Sequence, residues 1–390
     1  MKYNFDKIID RENTNSVKYD LRKIVFHNEV AIPMWVADMD FETPDFILDS
    51  IFKRCENPCF GYSLLPKEFK SSLINWQKKL HDWDIDEKHC GYVQGIVPSL
   101  SFIVQIFSES DDEVIIQEPV YHKFKDAVVK NNRKLIVNPL KEVDGKFVMD
   151  FEDFEKKISK KTKLLLLCNP HNPGAKVWSE DTLKKLSDIC YKNNIIVISD
   201  EIHADMTFLP NKHIPFAKVS DEAKYNSITL TAPTKTFNMP ALQTAAYIIP
   251  NDNLRKQFES FLDRNEIYNG NIFGQLASIA AYTHGYDYLS ELLSYLKGNI
   301  DFVLDYIEKN TPEIVPMKPE ASFLIWLNCE KMGLSDADLM DFMLNKVGIA
   351  LNAGTIFGKF GDNHLRMNIA CPRSILIRVL DKLSEELHKK

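Results

Sequence analysis

From about residue 90 to 250 the chain alternates short apolar runs with amphipathic stretches. The apolar runs are DEVIIQEPVY (112–121), KLLLLCNPHN (163–172), NNIIVISDEIH (193–203) and SITLTAPTK (227–235). Unbroken apolar segments of this length predict strands covered on both faces, as in a parallel sheet flanked by helices. Between the second and third runs lies SEDTLKKLSDICYKN (179–193). Ser179 can cap a helix there, and Glu180 and Asp181 suit the positive end of its dipole. Leu183, Leu186, Ile189 and Cys190 then fall on one helical face. Strand–helix–strand units of this kind predict an α/β fold, a mostly parallel sheet covered by helices.

The texture changes toward the C-terminus. Residues 252–310 are helical in pattern, and KEVDGK (141–146) predicts a turn between strands with Asp144-Gly145 at its tip. After TPEIVPMKPE come ASFLIWLNC (321–329), DADLMDFMLNKVG (336–348), IALNAG (349–354), HLRMNIAC (364–371) and a last helix from Arg373. These predict a smaller α+β domain. The expected division is a large domain over 48–288 and a small domain made of 1–47 plus 289–390, with the boundary in the long helix near 290.

Composition adjusts this picture only slightly. With 390 residues, 45% of them hydrophobic, the chain can bury a large core. A net charge of −7 gives no footprint for nucleic acid or an anionic membrane. No apolar run is long enough for a bilayer, and MKYNFDKIIDRENTNSVKYD lacks the pattern of a signal peptide, so a cytoplasmic location is expected. Seven cysteines make no disulfide framework, and Cys168, Cys190 and Cys371 read as core residues. Cys55, Cys59, His81, His89 and Cys90 match no compact metal-ligand spacing, so no metal is expected.

The chemistry sits where the runs end. Ligands of an open parallel sheet bind beyond the carboxyl ends of its strands. The four runs end in Glu118 with Tyr121; in Asn169, His171 and Asn172; in Asp200, Glu201 and His203; and in Thr234 with Lys235. One lysine, a carboxylate, an amide and an aromatic ring are what pyridoxal phosphate requires. The amine forms a Schiff base, the carboxylate keeps the pyridine nitrogen protonated, the amide bonds the phenolic oxygen and the ring stacks. QGIVPSLSF (94–102) offers Gly95, backbone amides and the hydroxyls of Ser99 and Ser101 at a helix start for a phosphate. No G-x-G-x-x-G opens a helix, which argues against a nicotinamide dehydrogenase.

In order and wording these stretches resemble the fold-type I pyridoxal-phosphate enzymes, the aspartate aminotransferase superfamily. More narrowly they resemble the bacterial cystathionine β-lyase and C–S lyase group, which includes a maltose-regulon modulator. The matching stretches run nearly end to end: IPMWVADMDFETP (32–44), FGY (60–62), VIIQEPVYHKF (114–124), LLLLCNPHNP (164–173), VISDEIHAD (197–205), HIPFA (213–217), TKTFNMPALQT (234–244), SFLIWL (322–327), ALNAGTIFG (350–358) and LRMNIACPR (365–373). The resemblance implies that Lys235 is the Schiff-base lysine, Asp200 the partner of the pyridine nitrogen, Asn172 the donor to the phenolic oxygen and Tyr121 the stacking ring. It implies phosphate contacts from Gly95, Ile96, Val97 and Thr234, and from Tyr62 to the neighbouring subunit of a homodimer. Arg366 would clamp the substrate α-carboxylate, and Met34 to Asp40 would run past the substrate. His203, three residues after Asp200, is read from its position either as a cofactor-lining residue or as a satisfied structural histidine. Arg373 reads as a helix-start residue instead, and Phe261, Tyr268 and Phe273 as packing residues.

Some letters depart from the family wording. Thr234 replaces a serine, NPGAK carries its glycine one place early, and Pro240-Ala241 stands where Ala-Gly is common. Gln243, eight residues after Lys235, stands where aminotransferases of the superfamily often carry a phosphate-binding arginine. The activity implied is β-elimination from cystathionine or cysteine S-conjugates to pyruvate, ammonia and a thiol. The competing readings are a class I/II aminotransferase and a cofactor-bearing regulator that binds a transcription factor.

Overall fold

The computed structural model describes residues 2–267 and 270–389. At its centre is a sheet of seven strands: β1 (Cys90–Val93), β2 (Glu113–Ile116), β3 (Lys134–Val137), β4 (Thr162–Cys168), β5 (Ile196–Asp200), β6 (Ser227–Thr231) and β7 (Ala245–Ile248). Their spatial order is β1-β7-β6-β5-β4-β2-β3. Only β7 is antiparallel to its neighbours; the remaining pairs are parallel. The four runs of the sequence are β2, β4, β5 and β6, which lie side by side. Their carboxyl ends therefore form one continuous edge.

Alternation along β4 shows why these runs are apolar throughout. Leu164 and Leu166 face one side, where they pack with α3 (Ile96–Phe107) and α5 (Asp252–Arg264) through Leu100, Val104, Phe258 and Leu262. Leu165 and Leu167 face the other, against Leu183, Leu186 and Ile189 of α4 (Glu180–Lys192). Ser179 caps α4 as its sequence predicts, accepting from the Thr182 N–H. The Asp144-Gly145 tip joins the 140–143 and 146–149 strands with both residues at positive φ.

A third core joins α1 (Asp45–Cys55), α2 (Glu68–His81), α6 (Ile272–His284) and α7 (Tyr286–Asn310) to a four-stranded antiparallel sheet. That sheet comprises β8 (Val315–Met317), β9 (Leu324–Asn328), β10 (Asn352–Ala353) and β11 (His364–Asn368), ordered β8-β9-β11-β10 and backed by α8 (Arg373–His388). The N-terminal segment joins this part through pairing of Ile32–Pro33 with Ile349–Ala350. Residues 34–41 then cross to the strand-end edge of the large sheet. Asn368 Nδ2 donates to the carbonyls of Val36 and Asp38, both at 2.6 Å. Asn238 grips the other end, accepting from the Met39 N–H at 2.9 Å and donating to the Phe41 carbonyl at 2.7 Å. Phe261 packs on Phe102, and Phe273 on Phe60; Tyr268 lies outside the described residues.

The early glycine of NPGAK has a packing cause. Gly174 is not at positive φ; Ala175 is, at 50°. A Cβ at Gly174 would collide with the ring of Phe147 and press on Met317 Sδ. The glycine is placed for room, and the alanine after it takes the left-handed backbone. Gly174→Ala should therefore lower stability by about 1–3 kcal/mol through overpacking. Urea unfolding checks this, and an unchanged midpoint would show that Phe147 yields freely.

Candidate active site

The strand ends converge on a cavity of about 580 Å³. The segment after β2 supplies Tyr121, that after β4 Asn172, the end of β5 Asp200 with His203, and the turn after β6 Thr234 and Lys235. Gly95, Ile96 and Val97 enter from the start of α3, and Arg366 from β11. Apart from Tyr62, Ser99 and Ser101, the cofactor- and substrate-binding residues proposed from sequence line this cavity; Tyr62 is fully exposed in a segment without regular secondary structure.

The charged groups are desolvated, and neutral backbone and amide groups hold each of them. Lys235 Nζ donates to the Ala37 carbonyl at 2.6 Å. Burial pulls its pKa down to about 8, against the opposing field of Asp38. Burial pushes the Asp200 carboxyl up to about 7, although its Oδ1 accepts from the Ile202 N–H at 3.1 Å. Arg366 Nη1 donates to Asn172 Oδ1 at 3.0 Å and Nη2 to the Trp35 carbonyl at 2.7 Å. Its guanidinium lies 4.8 Å from the Phe357 ring centroid, and its Nε has no partner. Burial lowers its pKa to about 10, which leaves it charged at neutral pH. His203 is driven down to about 3 by burial, so its ring is neutral, and its Nδ1 is unpartnered.

Several residues that attracted attention in the sequence have other work. Glu201 accepts from the Ser199 hydroxyl at 2.7 Å and the Phe216 N–H at 2.9 Å, and pairs with His213 at 2.9 Å. His171 is buried between Phe147 and Trp178. Asn169 Nδ2 donates to the Ile214 carbonyl. Ser99 and Ser101 are a correction to the phosphate reading. The Ser99 hydroxyl donates to the Gly95 carbonyl at 2.7 Å, Ser101 accepts from Asn131, and neither lines the cavity. Arg373 bonds Asn299 at the start of α8, as a helix-start residue would. Sequence reasoning missed Asn352, which donates to the Trp35 carbonyl at 2.6 Å, and His122. The only signal for His122 was a second ring directly after Tyr121.

These residues fit pyridoxal phosphate. The cavity offers one amine held partly unprotonated, a buried carboxyl, an aromatic ring and the Asn172 amide. Gly95, at φ 141°, turns the chain into α3, where the N–H groups of Ile96 and Val97 have no intrahelical acceptor. Thr234, also buried, adds a hydroxyl to the lining of the same cavity.

Comparison with known proteins agrees. Residues 57–383 match the aminotransferase class I and II family, and the chain belongs to it. It is 40% identical to cystathionine beta-lyase PatB of Bacillus subtilis over 96% of this chain and 97% of that one. It is 32% identical to protein MalY of Escherichia coli, covering 96% of each chain. The crystal structure of cystalysin from Treponema denticola, which contains a pyridoxal 5'-phosphate cofactor, superposes with a TM-score of 0.96 at 32% identity over 100% of both chains.

The raised Asp200 pKa has a measurable consequence. The folded protein holds this proton more tightly than the unfolded chain does. The stabilising contribution is therefore complete below the ordinary value of 3.8 and is lost as the pH rises through about 7. In ligand-stripped protein, Asp200→Asn should flatten the fall in unfolding free energy across that window. Parallel slopes for variant and wild type would contradict the assignment.

Proposed function

We propose that the protein is a pyridoxal-phosphate-dependent carbon–sulfur β-lyase, cleaving cystathionine or related cysteine S-conjugates to pyruvate, ammonia and a thiol. The observation that carries this is the buried Lys235 amine, in one cavity with Asp200 and the Arg366–Asn172 pair. When bound, the cofactor supplies an aldehyde for the substrate amine and a pyridinium ring that withdraws the electrons left at Cα.

The chain's own groups do the rest. Asp200 would hold a proton at the pyridine nitrogen, and Tyr121 would cover the ring face. Ile96 and Val97 would offer N–H groups and the α3 dipole to the phosphate. Arg366, fixed by Asn172 and the Trp35 carbonyl, presents a charged fork to the α-carboxylate. That clamp places the Cα proton before Lys235, whose lowered pKa suits a general base near neutrality. With the Cα proton removed, the electron pair left at Cα would form a Cα–Cβ double bond as the C–S bond breaks and the thiolate departs, and water would then release ammonia and pyruvate.

Two features support elimination over amino-group transfer. The identity with cystathionine beta-lyase PatB extends across nearly the whole chain. Among the described residues the cavity's lysines and arginines are Lys235 and Arg366 alone, with Gln243 where a further arginine is common in aminotransferases. We also propose a homodimer in which Tyr62, exposed in its own chain, reaches the neighbouring phosphate. The division into 48–288 and 1–47 plus 289–390 is proposed with it, supported by the separate large and small sheets.

Incubation with L-cystathionine and no 2-oxo acid should yield pyruvate and free thiol. Repeated transfer of the amino group to 2-oxoglutarate without pyruvate would establish an aminotransferase instead. Asp200→Ala should retain some cofactor but lose roughly a hundredfold or more in kcat. A near-native rate in that variant would remove Asp200 from the chemistry.

A further inference from the structure

A second cavity, of about 640 Å³, adjoins the first and shares with it Tyr121, His122, Ile356 and Phe357. These side chains form the partition between the two spaces. The floor of the second cavity is apolar, built from Ile116, Leu135 and Val137, and suits a methylene chain. Its rim carries Lys125, Lys157 and Lys359 beside Glu118 and Asp362.

The partners of these charges decide which are free. Lys157 is engaged, donating to the Val137 carbonyl at 2.7 Å and to Asp153 at 2.8 Å. Glu118 is buried, accepts from the Lys359 N–H at 3.1 Å and lies in the electrostatic field of Lys125 and Lys359 without an ion pair to either ammonium. The ammonium groups of Lys125 and Lys359, both on exposed residues, make no ion pair or hydrogen bond among the described residues. At the partition, His122 packs on Tyr121 with ring centroids 4.9 Å apart, and its buried Nδ1 has no partner. His122 lines both the cavity that holds Arg366 and the one that carries the two lysines.

We propose that this second cavity receives the distal half of the substrate and selects cysteine S-conjugates whose thiol portion ends in a carboxylate. The apolar floor takes the chain beyond sulfur, Lys125 and Lys359 take the terminal anion, and His122 supplies a hydrogen bond at the crossing. The inference rests on the lyase reading and adds to it a preference that the main cavity does not encode.

The test compares kcat/KM of the holoenzyme for S-(2-carboxyethyl)-L-cysteine and its uncharged isostere S-(2-carbamoylethyl)-L-cysteine. Wild type should prefer the carboxylate roughly fivefold to tenfold, as befits two partly solvated cations. Lys125→Ala/Lys359→Ala should bring the ratio close to one. Equal rates in wild type, or an undiminished preference in the double variant, would overturn the proposal. If neither conjugate releases pyruvate, the lyase reading is judged by L-cystathionine alone, and calorimetric titration with two non-cleavable analogues judges the subsite. Tighter binding of L-2-aminopimelate than of L-2-aminoheptanoate, lost in the double variant, would sustain it; equal binding would overturn it.

Discussion

The bond from the Lys235 amine to the Ala37 carbonyl is the point on which the site depends, because it joins the strand-end edge to the strap that closes it. The strap, residues 34–41, offers the carbonyls of Trp35 and Ala37 to the two cavity cations, Arg366 and Lys235. Those carbonyls must be held still, and the N-terminal segment provides the anchor. Lys18 is almost wholly buried and donates to Asp40 at 2.7 Å, while Arg11 pairs with Asp38 at 2.8 Å and with Asp40 at 2.7 Å. Two cations and two carboxylates neutralise one another there, so a desolvated cluster is tolerated close to a desolvated amine. Asp38 also opposes the lowering of the Lys235 pKa, which links the anchor to the chemistry.

Much of the site was legible because its residues follow strands that are easily read. Unbroken apolar runs located β2, β4, β5 and β6, and their adjacency in the sheet brought Tyr121, Asn172, Asp200 and Lys235 together. Arg366 comes from a separate sheet and could be assigned only by resemblance, since no local pattern brings β11 to the edge of the large sheet. Side chains with alternative local partners were the least legible. Ser99 at a helix start could have faced a phosphate, but it reached the Gly95 carbonyl one turn back. Glu201 could have been a second cavity carboxylate, but, directly after Asp200 at the end of β5, it turns away to pair with His213.

The departures from family wording divide in the same way. The displaced glycine of NPGAK answers to the Phe147 ring, a contact some thirty residues away that no short motif records. Gln243, at φ 47°, ends the short 3₁₀ turn begun by Pro240 and lines the cavity where a longer cation could have stood. The first departure is architectural. The second places a neutral amide in the lining of the cavity.

The central claim is that one lysine of the chain is built to carry the cofactor. The most direct measurement is borohydride reduction of the protein loaded with pyridoxal phosphate, followed by peptide mapping. The account predicts a single stable adduct on Lys235, within the peptide around TAPTKTFNMPAL. An adduct on another lysine, or none at all in protein that has bound the cofactor, would contradict it.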